Sequence, residues 1–307
     1  MPVEPVSACG FDPVESLKPD QNDLAKQVRD VMDRLDRAER PFIFAGNGVG
    51  VSGAAAVFEK LVRLFNVPVG LTRMAMDLLD DDDPLFVGRP GTVASRGANF
   101  ALQNADFVLM IGTRLDPPLM GWDPHRFARG AYKTVVDIDP AELRKLEGAI
   151  DNPICADAHT FIDQLLEQAK SARDKNEDRT AWLQRCQDWK TRYPLVLPEH
   201  RAPGLVSLYH LAEIIGQEAG PNDRVVSGSS GSANEVSCWP TGRERGVGYF
   251  IPQDWGRWDT ASPLALGCVS VAAKGRRPAL TATAAFSSTS RSWPRSRTCN
   301  CLSNFSF

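Results

Sequence analysis

The sequence predicts an α/β protein: a doubly wound parallel sheet followed by an incomplete second α/β domain. Three observations predict it. Short apolar runs alternate with helix-compatible stretches from residue 21 to residue 170, the pattern of a parallel sheet covered on both faces. The first run, PFIFA at 41–45, breaks into Gly46-Asn47-Gly48, which reads as a buried strand ending in a tight turn. A second glycine-rich turn, Gly228-Ser229-Ser230-Gly231-Ser232, follows another strand-like segment, DRVV at 223–226.

The chain divides as follows. Residues 1–20 are Pro-rich and patternless and read as a linker. Residues 21–170 form the central α/β domain. In 21–40 the apolar residues Leu24, Val28, Val31, Met32 and Leu35 fall on one helical face, and Asp20 is placed to cap it. Strands are expected at 41–45, 67–71, 107–112, 133–138 and 153–156. Helices are expected at 54–64, 96–104, 141–147 and 158–169. Residues 171–204 read as a charged surface helix, with Trp182 and Trp189 seven apart and packed together, then a Pro-rich linker. Residues 205–236 begin the second domain, and 237–307 form a tail of different character. Asp80–Asp83 reads as a solvated loop, because consecutive carboxylates rarely converge on a metal.

In an open parallel sheet, ligands sit beyond the carboxyl ends of the strands. Those ends carry Gly46, Asn47, Gly48, Arg114, Asp137, Asp139 and Asp157. Backbone amides at a glycine turn suit an anion, an arginine suits a phosphate, and carboxylates suit ribose hydroxyls. These residues are the candidate flavin or nucleotide site; the competing reading is that the glycines only shape turns. A Rossmann-type oxidoreductase would need a proton donor near a nicotinamide, and no histidine or tyrosine is placed for one.

Composition excludes several classes. A net charge of −3 leaves no basic footprint for nucleic acid. No apolar run reaches the length of a membrane span, and the N-terminus has no signal-peptide pattern, so the expected compartment is the cytoplasm. The seven cysteines form no CxxC pair and read as free thiols. The four histidines lack partners at catalytic or metal spacing, and no GxSxG, HExxH or P-loop pattern occurs. No catalytic or metal-ligating residue is assigned.

Five blocks in residues 40–166 carry a family resemblance: FAGNGV, DLLDDDDPLFVGRPGTVASRGAN, NADFVLMIGTRLD, VVDIDPAEL and CADA. In content and spacing they resemble the central domain of thiamine-diphosphate-dependent enzymes of the acetolactate synthase type. VVSGSSGSANEV resembles the start of that family's third domain, which places Gly228, Ser229, Ser230, Gly231 and Ser232 on the cofactor's diphosphate side as a vestigial site. The resemblance implies thiamine diphosphate and Mg²⁺ in the parent enzyme, with FAD on the central domain of some members. It also implies a small 2-keto acid substrate that is decarboxylated and joined to a second carbonyl, and a homo-oligomeric parent.

Two departures accompany the resemblance. The family's activating glutamate belongs to a first domain with no counterpart in this sequence. The GDG motif whose residues ligate Mg²⁺ is also missing. The stretch 281–307 contains no Asp, Glu or Lys but seven Ser, and four of the seven tryptophans lie beyond Val236. With permitted codons, a one-base step over 282–293 reads GDGGFQLNVQEL, and over 249–263 it reads VFHTPGLGAMGHGLP. Residues 237–307 are therefore expected to be an out-of-frame product, largely disordered or badly packed. The chain reads as a fragment that does not bind the cofactor productively and is inactive alone. The alternative is a flavin-binding or purely structural module.

Overall fold

The computed structural model describes residues 21–92, 94–172, 179–205, 207–218, 224–226, 248–250, 268–272 and 280–283. Its main body is a six-stranded, wholly parallel sheet. In chain order the strands are β1 (Pro41–Ala45), β2 (Val69–Leu71), β3 (Phe86–Gly88), β4 (Phe107–Ile111), β5 (Tyr132–Asp137) and β6 (Asn152–Cys155). Their spatial order is β3-β2-β1-β4-β5-β6, so the chain reverses direction across the sheet between β1 and β4.

Strand residues alternate between two cores. Ile43, Ala45, Leu109 and Ile111 face one side, beneath α1 (Gln21–Arg37), α3 (Ala55–Phe65) and α7 (Ala158–Ala172). Phe42, Phe44, Val108 and Met110 face the other, beneath α4 (Arg96–Asn104) and α8 (Thr180–Arg192). Both faces are apolar because both are covered, which is why β1 and β4 read as unbroken apolar runs. The helical spacing in α1 holds: Leu24, Val28, Val31 and Leu35 are all buried. Asp20 lies outside the described residues.

Several expectations change. The turn after β1 is followed at once by a five-residue helix, α2 (Asn47–Val51), and α3 starts only at Ala55. β3 was not expected; it is a three-residue edge strand just after the acidic run. That run is not wholly solvated. The Asp83 side chain is 4% exposed and ion-paired with Arg63, and it also accepts from the Leu85 amide at 2.9 Å. Burying one of four neighbouring carboxylates is tolerable because a guanidinium and a backbone amide together satisfy it.

The segment expected as a surface helix holds α8, and α8 is a core layer. It buries Trp182 and Cys186. Trp182 and Trp189 do pack, edge to face with centroids 5.9 Å apart. Burial pushes the Cys186 thiol up to about 12. On its outer side α8 covers the edge strand. Gln187 donates to the Pro84 carbonyl at 2.6 Å, and Lys190 donates to the Asp81 and Phe86 carbonyls at 2.5 and 2.9 Å. Those donors occupy edge acceptors that would otherwise be open to another chain.

Beyond residue 204 lie α9 (Leu208–Glu218) and a second sheet. Its strands are β7 (Arg224–Val226), β8 (Gly248–Phe250), β9 (Cys268–Ala272) and β10 (Leu280–Thr283), ordered β10-β9-β7-β8. β7 pairs parallel with β8 and antiparallel with β9. Three of these strands come from the stretch read as an out-of-frame tail; the rest of that stretch lies outside the described residues.

Candidate functional site

The candidate residues on the sheet do lie at the carboxyl ends of its strands, but they form three separate groups. The first is the glycine turn. The Gly46 amide donates to the Ile111 carbonyl at 2.9 Å, and the Gly48 amide to the Gly112 carbonyl at 3.0 Å. A Cβ at Gly46 would sit 2.2 Å from the Gly112 carbonyl oxygen, and one at Gly48 would sit 2.7 Å from the Gly112 Cα. The turn after β1 and the turn after β4 are thus in backbone contact. Glycine is needed there for close approach between two loops of the same domain. The Gly46 and Gly48 amides are thus not free for a phosphate, and α2, five residues long and led by Gly46 with no side-chain cap, adds little dipole.

The second group is an ion-pair chain over α6 (Pro140–Arg144). Arg114 is two-thirds exposed and reaches Glu142 at 3.4 Å. Glu142 also pairs with Lys145, which in turn meets Asp116 at 3.3 Å. Asp137 and Asp139 lie beside this chain. Asp137 is buried and accepts from the Asp139 amide at 2.9 Å; Asp139 caps α6 by accepting from the Ala141 amide at 2.8 Å. Burial raises the Asp137 carboxyl above the usual carboxylate range, opposed by the Asp139 amide and reinforced by the charges of Glu142 and Asp139. Burial, with Asp137 and Asp139, likewise raises the Cys155 thiol.

The Asp137 shift has a consequence for stability. A carboxyl whose folded pKa is raised favours folding most below its unfolded value, and that contribution is lost as pH rises through the folded value. At neutral pH the wild type therefore carries the cost of a buried charge. Asp137→Asn, which keeps an acceptor for the Asp139 amide, is expected to raise Tm at neutral pH. The gain should vanish once the pH falls below the ordinary carboxylate value. Thermal melts across that window check this; a Tm gain independent of pH would refute it.

The third group is Asp157, which accepts from Thr160 through both its amide at 3.0 Å and its hydroxyl at 3.2 Å at the start of α7. It acts as a helix cap. Each carboxylate of the set thus has a local structural partner. Gly228, Ser229, Ser230, Gly231 and Ser232 lie outside the described residues. No group of His, Cys, Asp and Glu among the described residues has the geometry of a metal site, and His159 is held by the Ser52 carbonyl and Asp163. No described helix is long and apolar enough to cross a membrane.

A different cavity escaped the sequence reading. A cleft of about 270 Å³ runs along the edge strand β3, bounded by α8, the 193–196 segment and Glu213 of α9, and it contains Arg89 and Lys190. The residues that form it come from distant parts of the chain, so only GRPG at 88–91 hinted at a special turn there.

Comparison with known proteins places the fold. Residues 28–165 match the family model described as the thiamine pyrophosphate enzyme, central domain. The acetolactate synthase large subunit of Corynebacterium glutamicum is 28% identical over 250 residues, covering 79% of this chain and 38% of that protein. A probable acetolactate synthase large subunit of Methanococcus aeolicus is 31% identical over 192 residues, covering 60% and 31%. An acetolactate synthase of Mycobacterium avium is 29% identical over 257 residues, covering 81% and 40%. The chain spans two-fifths or less of the length of these relatives. A match covering 81% of the chain cannot be contained within positions 1–236, so the likeness reaches into the tail.

Proposed function

We propose that this chain belongs to the thiamine pyrophosphate enzyme family of acetolactate synthase type, supplies the central scaffold domain of such an enzyme and does not turn over substrate alone. The observation that carries this reading is the missing GDG. A chain without that aspartate has no family carboxylate for the Mg²⁺ that bridges a diphosphate. The parent's chemistry, decarboxylation of a 2-keto acid and joining of the product to a second carbonyl, belongs to the cofactor. No step of it is assigned to residues of this chain. A cytoplasmic location and a homo-oligomeric parent are part of the same reading.

On this reading the glycine turn serves the fold and not a flavin; what supports it is that the Gly46 and Gly48 amides are already bonded within the domain and that the Gly112 backbone lies against the turn. The frame slip belongs to the same proposal, with its starting point left to the DNA: resequencing around the codon for Val236 and onward through 282–293 either restores GDG or removes the idea.

The direct test is an assay of the full chain with thiamine diphosphate, Mg²⁺ and pyruvate. The expected result is no acetolactate above the buffer control, from a colourless preparation without flavin fluorescence. Acetolactate formation would overturn the proposal; a yellow preparation would overturn the structural reading of the turn.

A further inference from the structure

Arg89 follows edge strand β3 and is 7% exposed. Its backbone is fixed by Ser95, whose hydroxyl accepts from the Arg89 amide at 3.0 Å and donates to its carbonyl at 3.3 Å. The side chain lines the cleft beside β3. Among the described residues its guanidinium has neither a hydrogen-bond nor an ion-pair partner. Other cations of this region differ. Arg63 has Asp83, Lys190 has two carbonyls, and Arg201 holds Glu213 by two bonds of 3.0 and 2.6 Å. A guanidinium with no partner among the described residues has N–H donors to offer an anion entering the cleft.

The surroundings describe what would complete it. Lys190 spends two of its three N–H donors on the Asp81 and Phe86 carbonyls, which leaves one. Arg201 and Glu213 neutralise each other at one wall. Asp81 and Asp82 also border the cleft and disfavour a multiply charged anion. The remaining wall is apolar, from Phe86, Val87, Pro194 and Leu195. The volume of about 270 Å³ is near the lower end for small-molecule sites.

We propose that this cleft binds a small organic monocarboxylate, its carboxylate on the Arg89 fork with Lys190 in support and its short aliphatic body against Phe86 and Leu195. The planar guanidinium matches a carboxylate by two parallel bonds. A single negative charge is favoured over phosphate because of Asp81 and Asp82. The site lies at the outer edge of the sheet and is independent of the cofactor chemistry discussed above.

The test is thermal unfolding of the full chain at neutral pH and constant ionic strength, titrated with sodium isovalerate, acetate or phosphate against chloride. Isovalerate is expected to raise Tm saturably, by binding only the folded state, and more than acetate or phosphate. Arg89→Met removes the unpaired charge. Its isovalerate half-point is expected to rise by about tenfold or more. Arg89→Lys should retain a weakened response. A wild-type response in Arg89→Met or a phosphate effect equal to that of isovalerate would each overturn the proposal. Saturation-transfer NMR on the isovalerate methyls needs only wild-type protein; absence of transfer overturns it even if the variants fail to fold.

Discussion

Gly46→Ala is expected to destabilise the domain by about 3 kcal/mol or more, lowering Tm by about 6–12 °C. The new methyl carbon would stand 2.2 Å from the Gly112 oxygen and 2.7 Å from the Thr113 Cα. Both are backbone atoms, so no side chain can rotate away. The loop after β1 or the loop after β4 has to move, and moving either breaks the Gly46–Ile111 and Gly48–Gly112 bonds that join them. Gly46 itself has φ −112°, which any residue adopts, so the cost comes from contact alone. Gly53→Ala is the control. There φ is +74° and nothing lies within 4 Å of the new carbon, so only the left-handed penalty of about 1–2 kcal/mol applies. Equal melting temperatures for the two variants would show that the loops do not touch.

Trp182→Ala is expected to cost about 3–5 kcal/mol. The indole is 7% exposed, stacks edge-on against Trp189, and donates to the distant Pro41 carbonyl at 2.9 Å. Truncation opens a cavity between α8 and the sheet and leaves the first carbonyl of β1 without that donor. Trp182→Phe separates the two effects: it keeps most of the ring and loses only the donor, for about 1–3 kcal/mol. Urea midpoints of the two variants measure the split. If Trp182→Ala shifted the midpoint no more than an exposed substitution, α8 would be a surface appendage rather than part of the domain.

That outcome bears on how the chain divides. Residues 171–204 read as a charged helix and linker because Lys, Arg, Asp and Gln dominate α8. Its buried residues are few, Trp182 and Cys186 with Trp189 half-buried, but they are large and share one face. Composition dilutes such a signal, whereas the spacing of 182, 186 and 189 carries it. The acidic run is similar. Four consecutive aspartates look alike in sequence, and the side chain placed against Arg63, from the preceding helix α3, is Asp83.

The α/β class, the parallel strands from 41 to 156 except β3, and the likeness to the thiamine pyrophosphate enzyme central domain were all legible in the residues. Strands buried on both faces must be apolar throughout, and that is visible locally. β3 stayed hidden because FVG is too short to show a period and gains its identity only by pairing with β2. What the glycine turn does was set by tertiary contacts. PFIFAGNGVG has the composition of an anion-binding turn, but whether its amides are free depends on where Gly112 lies, and Gly112 belongs to the loop after a different strand. The fold places that backbone in direct contact with the turn. The Gly46 and Gly48 amides and the three carboxylates that local pattern assigned to a ligand are therefore bonded within the domain, while Arg89 lies beside the edge strand of the sheet.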